Sequence, residues 1–157
     1  MTLKINSLAP DFKAKTQHGD ISFHEWLGDS WGVLFSHPKD FTPVCTTELG
    51  SLAKLRPEFE ARNCKVMGLS VDPVSDHVKW LEDIKDVSGI KPNYPIVADE
   101  KLEVAKLYNM LEGDAGTTSM GRTAVDNETV RTVYIIRPDK RIGLFLTYPM
   151  TTGRNFH

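Results

Sequence analysis

The chain of 157 residues has a formal net charge of −2, with 40% hydrophobic and 25% charged residues. These values fit one globular domain, residues 1–157, with a sizeable core. They exclude a strong electrostatic attraction to nucleic acid, and no apolar run is long enough to cross a membrane. The first seven residues lack the apolar region of a signal peptide. Two cysteines do not suggest a disulfide framework, so the cytoplasm is the expected location.

The first predicted elements are short. Residues 12–23 alternate weakly between apolar and polar around a turn at 17–20, which predicts an N-terminal β-hairpin. Residues 24–27 favour one helical turn that Gly28 ends. Residues 33–36 form a continuous apolar run, which is typical of a strand buried on both faces.

A helix is predicted after the loop that follows this strand. Its apolar face is formed by Leu49, Leu52, Ala53 and Phe59. Pro57 should kink this helix, because proline removes a backbone hydrogen bond. Residues 65–71 form the next strand, and the order strand, helix, strand predicts a right-handed parallel crossover.

The second half of the chain continues the alternation of helices and strands. A second helix is predicted from Val74, Val78, Leu81 and Ile84, followed by a polar loop at 86–93 and a strand at 94–98. Asp99 is the predicted N-cap of a helix that carries Val104, Leu107, Tyr108 and Leu111. Residues 113–123 are rich in Gly, Thr and Ser, which predicts a mobile loop. Strands at 129–137 and 142–148 follow, joined by a tight turn.

The loop before the first long helix carries the candidate chemistry. It reads His37-Pro38-Lys39-Asp40-Phe41-Thr42-Pro43-Val44-Cys45-Thr46-Thr47-Glu48. Cys45 would lie in the first turn of the helix, where unpaired backbone N–H groups and the helix dipole favour an anion. This position predicts a nucleophilic thiolate. The alternative is a buried, unreactive cysteine.

The spacing Pro38-x-x-x-Thr42-x-x-Cys45 resembles the active-site signature of the peroxiredoxins, and the string from His37 to Glu48 is similar to their one-cysteine branch. The resemblance covers nearly the whole chain. It implies an α/β thioredoxin-like fold, with a mixed central sheet flanked by helices and an N-terminal hairpin. It also implies a last helix and a C-terminal region that this sequence lacks. One sheet face would then lie bare, unless a partner chain covers it in a homodimer or higher homo-oligomer.

The resemblance further implies a thiol-dependent peroxidase without a cofactor. Such an enzyme reduces hydrogen peroxide and organic hydroperoxides through a cysteine sulfenic acid, which an external thiol of the glutathione or thioredoxin type resolves. The site must position the peroxide and stabilise the leaving oxygen. We expect the Thr42 hydroxyl and the backbone N–H groups of Val44 and Cys45 to face the peroxide, and Pro38 to shield the thiolate from water.

A cation is also needed at such a site. Arg131 is flanked by β-branched and aromatic residues in a predicted central strand, where an unpaired charge is costly. The resemblance makes Arg131 the active-site arginine that holds the thiolate and donates to the peroxide; the alternative is an edge-strand arginine that faces solvent. Arg154 is a second candidate on the substrate side. Glu48 would fix an arginine in place, or would only favour the helix N-terminus.

Two further residues have open roles. His37 resembles the histidine of the one-cysteine branch and would assist protonation of the leaving group, or would only hydrogen-bond the loop backbone. Cys64 precedes a strand and is expected to be unreactive; the helix between Cys45 and Cys64 would keep them too far apart for a disulfide. The other histidines have no ligand spacing, so we predict no metal.

A competing motif lies at Gly28-Asp29-Ser30-Trp31-Gly32, which matches the Gly-x-Ser-x-Gly elbow of serine hydrolases. The phospholipase activity credited to some one-cysteine peroxiredoxins would correspond here to Ser30, His24 and Asp139. The elbow needs a strand before the serine and a helix after it, and the predicted elements have the reverse order. A dithiol role is disfavoured because no Cys-x-x-Cys is present. A stress-linked holdase chaperone stays open as a third function.

Overall fold

The computed structural model describes residues 3–38, 40–41, 43–111, 129–149 and 153–157; the predicted loop at 113–123 lies outside them. In chain order the elements are β1 (Lys13–Thr16), β2 (Gly19–Ser22), α1 (Phe23–Leu27), β3 (Trp31–Ser36), α2 (Pro43–Ala61), β4 (Cys64–Ser70), α3 (Val74–Ser88), β5 (Ile96–Ala98), α4 (Glu103–Leu107), β6 (Arg131–Ile136) and β7 (Ile142–Tyr148). This order confirms the predicted mixed α/β class. No described helix has the length and apolar character of a membrane span.

The described strands form one mixed sheet in the order β2-β1-β5-β4-β3-β6-β7. β3 pairs in parallel with β4, so β3, α2 and β4 form the predicted crossover. β6 pairs antiparallel with β3 on its other side. β3 is therefore an interior strand between β4 and β6, and the loop at its carboxyl end leads directly into α2. In open α/β sheets this end of the strands is where binding sites form.

Two hydrophobic clusters pack on opposite faces of the sheet. Alternate side chains of a strand point to opposite faces, and accordingly Leu34 belongs to one cluster while Val33 and Phe35 belong to the other. The Leu34 cluster includes residues of α1 and α4, and the Phe35 cluster includes residues of α2 and α3. Helices therefore cover both faces of β3, and each fully buried large side chain contributes about 1.5–3 kcal/mol to folding.

Helix α3 differs from its prediction in length and in its buried face. It continues to Ser88, through the start of the predicted loop at 86–93, and ends at Gly89, whose φ of 81° suits glycine. Val78 is 49% exposed, although it was assigned to the apolar face. The buried side chains of α3 are His77, Trp80, Leu81 and Ile84. Their spacing is helical, so the correct face includes a histidine that an apolar pattern omits.

Helices α2 and α4 also refine the sequence predictions. Pro57 lies inside α2 and does not end it. Helix α4 is shorter than predicted, and Leu102 rather than Asp99 directly precedes it. Asp99 still caps this helix, because its carboxylate accepts hydrogen bonds from the backbone N–H groups of Val104 and Ala105 at 3.1 and 2.7 Å. The capping chemistry was predicted correctly, but the cap position was wrong.

Strand β7 lies at the edge of the sheet and exposes apolar side chains. Leu144, Phe145 and Leu146 are 40–49% exposed. An apolar edge strand is a surface that other chains readily contact.

Candidate active site

Cys45 is the third residue of α2 and is fully buried. Pro43 begins the helix, where a proline is well tolerated because an N–H at that position would have no intrahelical partner. The backbone N–H groups of Val44 and Cys45 therefore belong to the unpaired donors of the first turn. The predicted position of Cys45, at the end of the helix that favours negative charge, is confirmed.

Arg131 reaches Cys45 from β6, 86 positions along the chain. Its Nη1 donates a hydrogen bond of 3.2 Å to Sγ of Cys45. The Arg131 side chain is 3% exposed, and β6 lies between β3 and β7 rather than at the edge of the sheet. The alternative of an edge-strand arginine that faces solvent is therefore wrong.

Glu48 lies one turn after Cys45 on α2 and holds two arginines. Its Oε1 accepts a hydrogen bond from Nη1 of Arg131. Its Oε2 accepts from Nε and from the backbone N–H of Arg154, at 2.8 and 2.6 Å. Arg154 also donates from Nη1 to the carbonyl oxygen of Thr132 at 3.0 Å. Glu48 thus fixes arginine side chains, as one of its two interpretations predicted.

The charges at this site are almost inaccessible to water. The side chains of Glu48, Arg131 and Arg154 are each 3% exposed. Buried charges are costly unless they are paired and hydrogen-bonded, and Glu48 can neutralise one of the two guanidinium charges. The Arg154 guanidinium also lies 5.5 Å from the ring centre of Phe35, a favourable cation–π distance. A thiolate at Cys45 would bring negative charge to the guanidinium of Arg131.

The structure provides less information on three other predicted site residues. Thr42 lies outside the described residues. Pro38 is buried directly after His37, and the side chain of Val44 is 37% exposed. The predicted roles of Pro38 in shielding the sulfur and of the Val44 N–H in binding peroxide stay predictions.

His37 is fully buried, and none of its described side-chain hydrogen bonds goes to Cys45. Its Nε2 lies 2.7 Å from Oδ1 of Asp40, and its ring centre lies 4.9 Å from that of Trp80. Its Nδ1 has no hydrogen-bond partner among the described residues. The interpretation that the His37 side chain only hydrogen-bonds the loop backbone is wrong, since the imidazole binds a carboxylate.

Asp40 joins His37 to a buried network that the sequence analysis missed. Its Oδ2 lies 2.5 Å from Nδ1 of His77, and Nε2 of His77 lies 3.1 Å from the carbonyl oxygen of Val97. Asp72 accepts hydrogen bonds from the backbone N–H of Asp40 at 2.8 Å and from the Ser70 hydroxyl at 3.0 Å. Two features of the sequence could have indicated this network. Asp40 is a charged residue inside the loop motif, and His77 lies at helical spacing from the apolar residues of α3.

The pKa values in this network shift in opposite directions. Burial alone would raise the pKa of Asp40, but hydrogen bonds from His37 and His77 hold it well below its ordinary value. Burial alone would lower the pKa of His77, but its hydrogen bond to Asp40 raises it overall. Burial and the charge of Asp40 raise the pKa of Asp72. Ligand-type atoms of His37, Asp40 and Asp72 lie within 4.8 Å of one another, and their hydrogen bonds account for this grouping without an ion.

Cys64 occupies a different environment at the far end of α2. It begins β4 and is half-buried, and its Sγ lies 3.9 Å from the carbonyl oxygen of Lys65. Burial raises the pKa of the Cys64 thiol. This setting agrees with the predicted unreactive cysteine.

The residues of the competing hydrolase motif have other partners. Ser30 donates to Oδ1 of Asn63 at 3.2 Å, and the His24 ring binds the carbonyl oxygen of Ala9 at 2.7 Å. Asp139 accepts from Arg137. Ser30 follows α1 and precedes β3, the reverse of an elbow. The described contacts therefore do not assemble a serine-hydrolase triad.

Comparison with known proteins agrees with this geometry. The profile of the AhpC/TSA family matches residues 5–144. The chain is 51% identical over 155 residues to the 1-Cys peroxiredoxin of Dictyostelium discoideum, covering 99% of this chain and 61% of that protein. The chain thus spans about three-fifths of that relative's length.

Two solved structures are similar over nearly the whole chain. A cysteine-to-serine mutant of the peroxiredoxin 6 of Arenicola marina has a TM-score of 0.89 and 48% identity, covering 99% of this chain and 69% of that one. A yeast mitochondrial 1-Cys peroxiredoxin, studied for thiol resolution via the glutathione and thioredoxin systems, has a TM-score of 0.86 and 49% identity. It covers 98% of this chain and 71% of that one. The thioredoxin-like fold that the resemblance implied is thereby confirmed.

Proposed function

Since this chain belongs to the AhpC/TSA family, we propose that it is a thiol-dependent peroxidase of the one-cysteine peroxiredoxin type. Its substrates would be hydrogen peroxide and organic hydroperoxides, and its nucleophile would be Cys45. The observation that carries the proposal is the 3.2 Å hydrogen bond from Arg131 to a thiol in the first turn of α2. A helix N-terminus and a cation are two of the settings that favour a thiolate.

The proposed reaction is a displacement at oxygen. The Cys45 thiolate attacks one oxygen of the hydroperoxide, so that an S–O bond forms while the O–O bond breaks. The sulfur is oxidised by two electrons to a sulfenic acid. The other peroxide oxygen is reduced and leaves as water or an alcohol after it gains a proton. The proton that the thiol loses on ionisation balances the proton that the leaving oxygen gains.

Arg131 is the proposed electrostatic group of the reaction. A fixed guanidinium beside the sulfur stabilises the thiolate before attack and the charge that develops on oxygen during it. Glu48 and Arg154 would act by holding that guanidinium in place, because Glu48 binds both arginines. This arrangement needs no reorganisation at the moment of reaction, since each charged group is already buried and paired.

The remaining loop residues have proposed roles that follow the sequence prediction. Thr42 and the backbone N–H groups of Val44 and Cys45 would bind the peroxide, and Pro38 would exclude water from the sulfur. His37 would hold the proton between its release from the thiol and its delivery to the leaving oxygen. The unpartnered Nδ1 of His37 supports this role, because it is a buried acceptor that no described group occupies.

The sulfenic acid would be resolved by an external thiol. Cys45 and Cys64 lie near opposite ends of α2, a helix of 19 residues that is roughly 28 Å long at 1.5 Å per residue. A disulfide needs Cα atoms within about 7 Å. A thiol of the glutathione or thioredoxin type is the proposed reductant, in keeping with the systems studied for the yeast relative.

We also propose a cytoplasmic location and a homodimer or higher homo-oligomer. Both cysteines are free thiols, which suits a reducing compartment. The exposed apolar side chains of β7 support contact with a second copy. Microscopy of a tagged full-length protein and light scattering of the purified chain test these two points.

The deciding experiment for the peroxidase is the intact mass after one equivalent of hydrogen peroxide, with and without a reagent that traps sulfenic acids. We expect one added oxygen, trapped at Cys45. Non-reducing peptide mapping supplies the second reading. A stoichiometric Cys45–Cys64 linkage, within or between chains, would contradict the one-cysteine mechanism.

A further inference from the structure

The hydrogen bonds of His77 define its charge. Its Nε2 faces the carbonyl oxygen of Val97 at 3.1 Å, and a carbonyl oxygen can only accept, so Nε2 carries a proton. Its Nδ1 faces Oδ2 of Asp40 at 2.5 Å, and an ionised carboxylate also only accepts. Nδ1 therefore carries a second proton. His77 is an imidazolium, and it forms a fully buried ion pair with Asp40.

The same carboxylate defines the tautomer of His37. Oδ1 of Asp40 lies 2.7 Å from Nε2 of His37, so Nε2 is the donor. While Cys45 is a thiol, a proton on Nδ1 as well would place a second buried imidazolium against one carboxylate, which is already paired with His77. In that state His37 is therefore neutral, and its Nδ1 is an acceptor without a partner in the described part of the chain. A buried unpartnered acceptor calls for a functional explanation.

The network is connected to the first turn of α2. His77 and Trp80 lie on the buried face of α3. The Trp80 ring packs against His37, and its Nε1 donates to the hydroxyl of Thr46 at 2.9 Å. Thr46 follows Cys45 directly. A change in the ion pair therefore acts on the surroundings of the thiol through packed and hydrogen-bonded side chains.

We propose that Asp40 and His77 are positioning residues for the chemistry at Cys45, which hold His37 neutral with Nδ1 open as a proton acceptor. This inference rests on the proposed peroxidase function. In the proposed reaction the thiol proton of Cys45 passes to Nδ1 of His37, where the new thiolate and the Asp40 carboxylate balance the two imidazolium charges, and then to the leaving oxygen. The thiol and the hydroperoxide thereby become a sulfenic acid and an alcohol or water, and His37 ends neutral. Asp40 and His77 fix the acceptor and contact neither sulfur nor substrate.

The titratable groups that face this ion pair are His37 after β3 and Asp72 between β4 and α3. Asp72 is bound to the Asp40 backbone N–H and to Ser70, and neither imidazole forms a described hydrogen bond to it. Its raised pKa makes it the group whose ionisation would add a second negative charge to the cluster. A pH profile of the reaction must therefore be compared in Asp72→Asn as well.

Nitrogen NMR of a histidine-labelled Cys45→Ser variant, which has no thiol proton to transfer, tests the tautomer directly. We expect two N–H signals from His77 and one, on Nε2, from His37. In Asp40→Asn the His77 imidazolium should be lost and the tautomer preference of His37 should weaken. A proton on Nδ1 of His37 in this variant, or unchanged spectra when Asp40→Asn is added and the protein folds, would overturn the proposal. This reading does not depend on any peroxidase activity.

Peroxide kinetics test the positioning role. Asp40→Asn and His77→Gln should each slow the second-order rate constant by about tenfold to a hundredfold, the usual effect of removing an orienting partner, and should change its pH profile. Asp40→Glu keeps the carboxylate and should recover part of the rate. Asp86→Asn, at an exposed acid of α3, and His18→Gln, at an exposed histidine, are the controls and should match the parent.

A double variant tests the positioning role in case the single variants do not fold. Asp40→Asn combined with His77→Gln replaces the ion pair with two neutral amides, so no buried charge is left unpaired. A folded double variant with the parent rate and pH profile would overturn the positioning role and leave the peroxidase proposal intact. A parent protein that consumes no peroxide would overturn the peroxidase proposal, while the NMR spectra would still decide the state of His37.

Discussion

The two ends of α2 present the same chemical group in two settings. Cys45 lies in the first turn, fully buried against the guanidinium of Arg131. Cys64 lies three residues past the last turn, half-buried, with a backbone carbonyl as its described contact. Burial is common to both thiols, so burial alone does not distinguish them. The difference lies in the fixed positive charge and the helix end that face the sulfur.

A carboxylate lies near each cysteine, and the two carboxylates differ in their exposure to solvent. Glu48, near Cys45, is 3% exposed and holds two arginines. Glu60, in the last turn of α2 and beside Cys64 in a surface pocket, is 59% exposed and pairs with Arg56. The carboxylate near Cys45 thus belongs to a buried charge network that positions groups, whereas the carboxylate near Cys64 belongs to an exposed ion pair that contributes little.

The largest expected effect separates the two thiols. Cys45→Ser should abolish peroxide consumption, because it removes the proposed nucleophile. Cys64→Ser should retain the activity of the parent. Stopped-flow measurement of peroxide loss, with added external thiol, decides the point, and full activity in Cys45→Ser would contradict the assignment.

The two carboxylates provide the next test. Glu48→Gln leaves two buried guanidinium groups without their carboxylate and should lower the free energy of unfolding by about 3–5 kcal/mol. Glu60→Gln removes an exposed pair and should lower it by about 0.2–1 kcal/mol. Denaturant unfolding followed by circular dichroism measures both. Equal losses would show that the Glu48 network does not hold the site.

Two cations give the third comparison: Arg131, which binds the Cys45 sulfur, and Lys65, which follows Cys64 in the chain but binds the carbonyl oxygen of Trp26. Arg131→Met should reduce the rate constant with peroxide by about 10²–10³, the usual loss for one positioned donor. It should also reduce the ultraviolet absorbance of the thiolate. Lys65→Met, next to Cys64, is the matched control and should leave both unchanged. An unaltered rate in folded Arg131→Met would remove Arg131 from the mechanism.

The smallest effect concerns the pH dependence of Cys64. Burial raises the pKa of its thiol, so at any given pH the folded protein has less thiolate there than an unstructured chain. In a Cys45→Ser background, alkylation by iodoacetamide should therefore be slower in the folded than in the unfolded protein. The rise of this rate with pH should be displaced to higher pH in the folded protein than in the unfolded protein. Equal rates at all pH values would contradict the effect of burial.

Local sequence patterns predicted the parts of the structure that depend on neighbours along the chain. The apolar run at 33–36, the proline at position 43 and the helical spacing after it placed Cys45 in the first turn of a helix. Arg131 was predicted to be paired because an unpaired charge in a central strand is costly. Its partners Cys45 and Glu48 confirm that reasoning.

Contacts between distant residues were not predictable in the same way. Asp40 and His77 are 37 positions apart, and nothing in the local pattern of either indicates that they form an ion pair. The buried face of α3 was misassigned to Val78 because a pattern of apolar residues omits His77. The Asp40 carboxylate that binds His37 was also missed, although the two residues are only three positions apart, because periodicity does not describe side-chain contacts within a loop. These contacts depend on tertiary packing, which the periodicity of a sequence does not show.

The partners of Cys45 lie far along the chain, which bears on when during synthesis its proposed reactivity would arise. Arg131 follows it by 86 residues, and the Glu48–Arg154 contact spans 106. A ribosome adds about 5–20 residues per second, so α2 emerges several seconds before β6. Contacts this distant form only when the strands between them have paired. The nascent chain therefore carries a thiol without these partners, and the reactivity proposed for Cys45 would arise only after residues 131–154 have been made and have folded against α2.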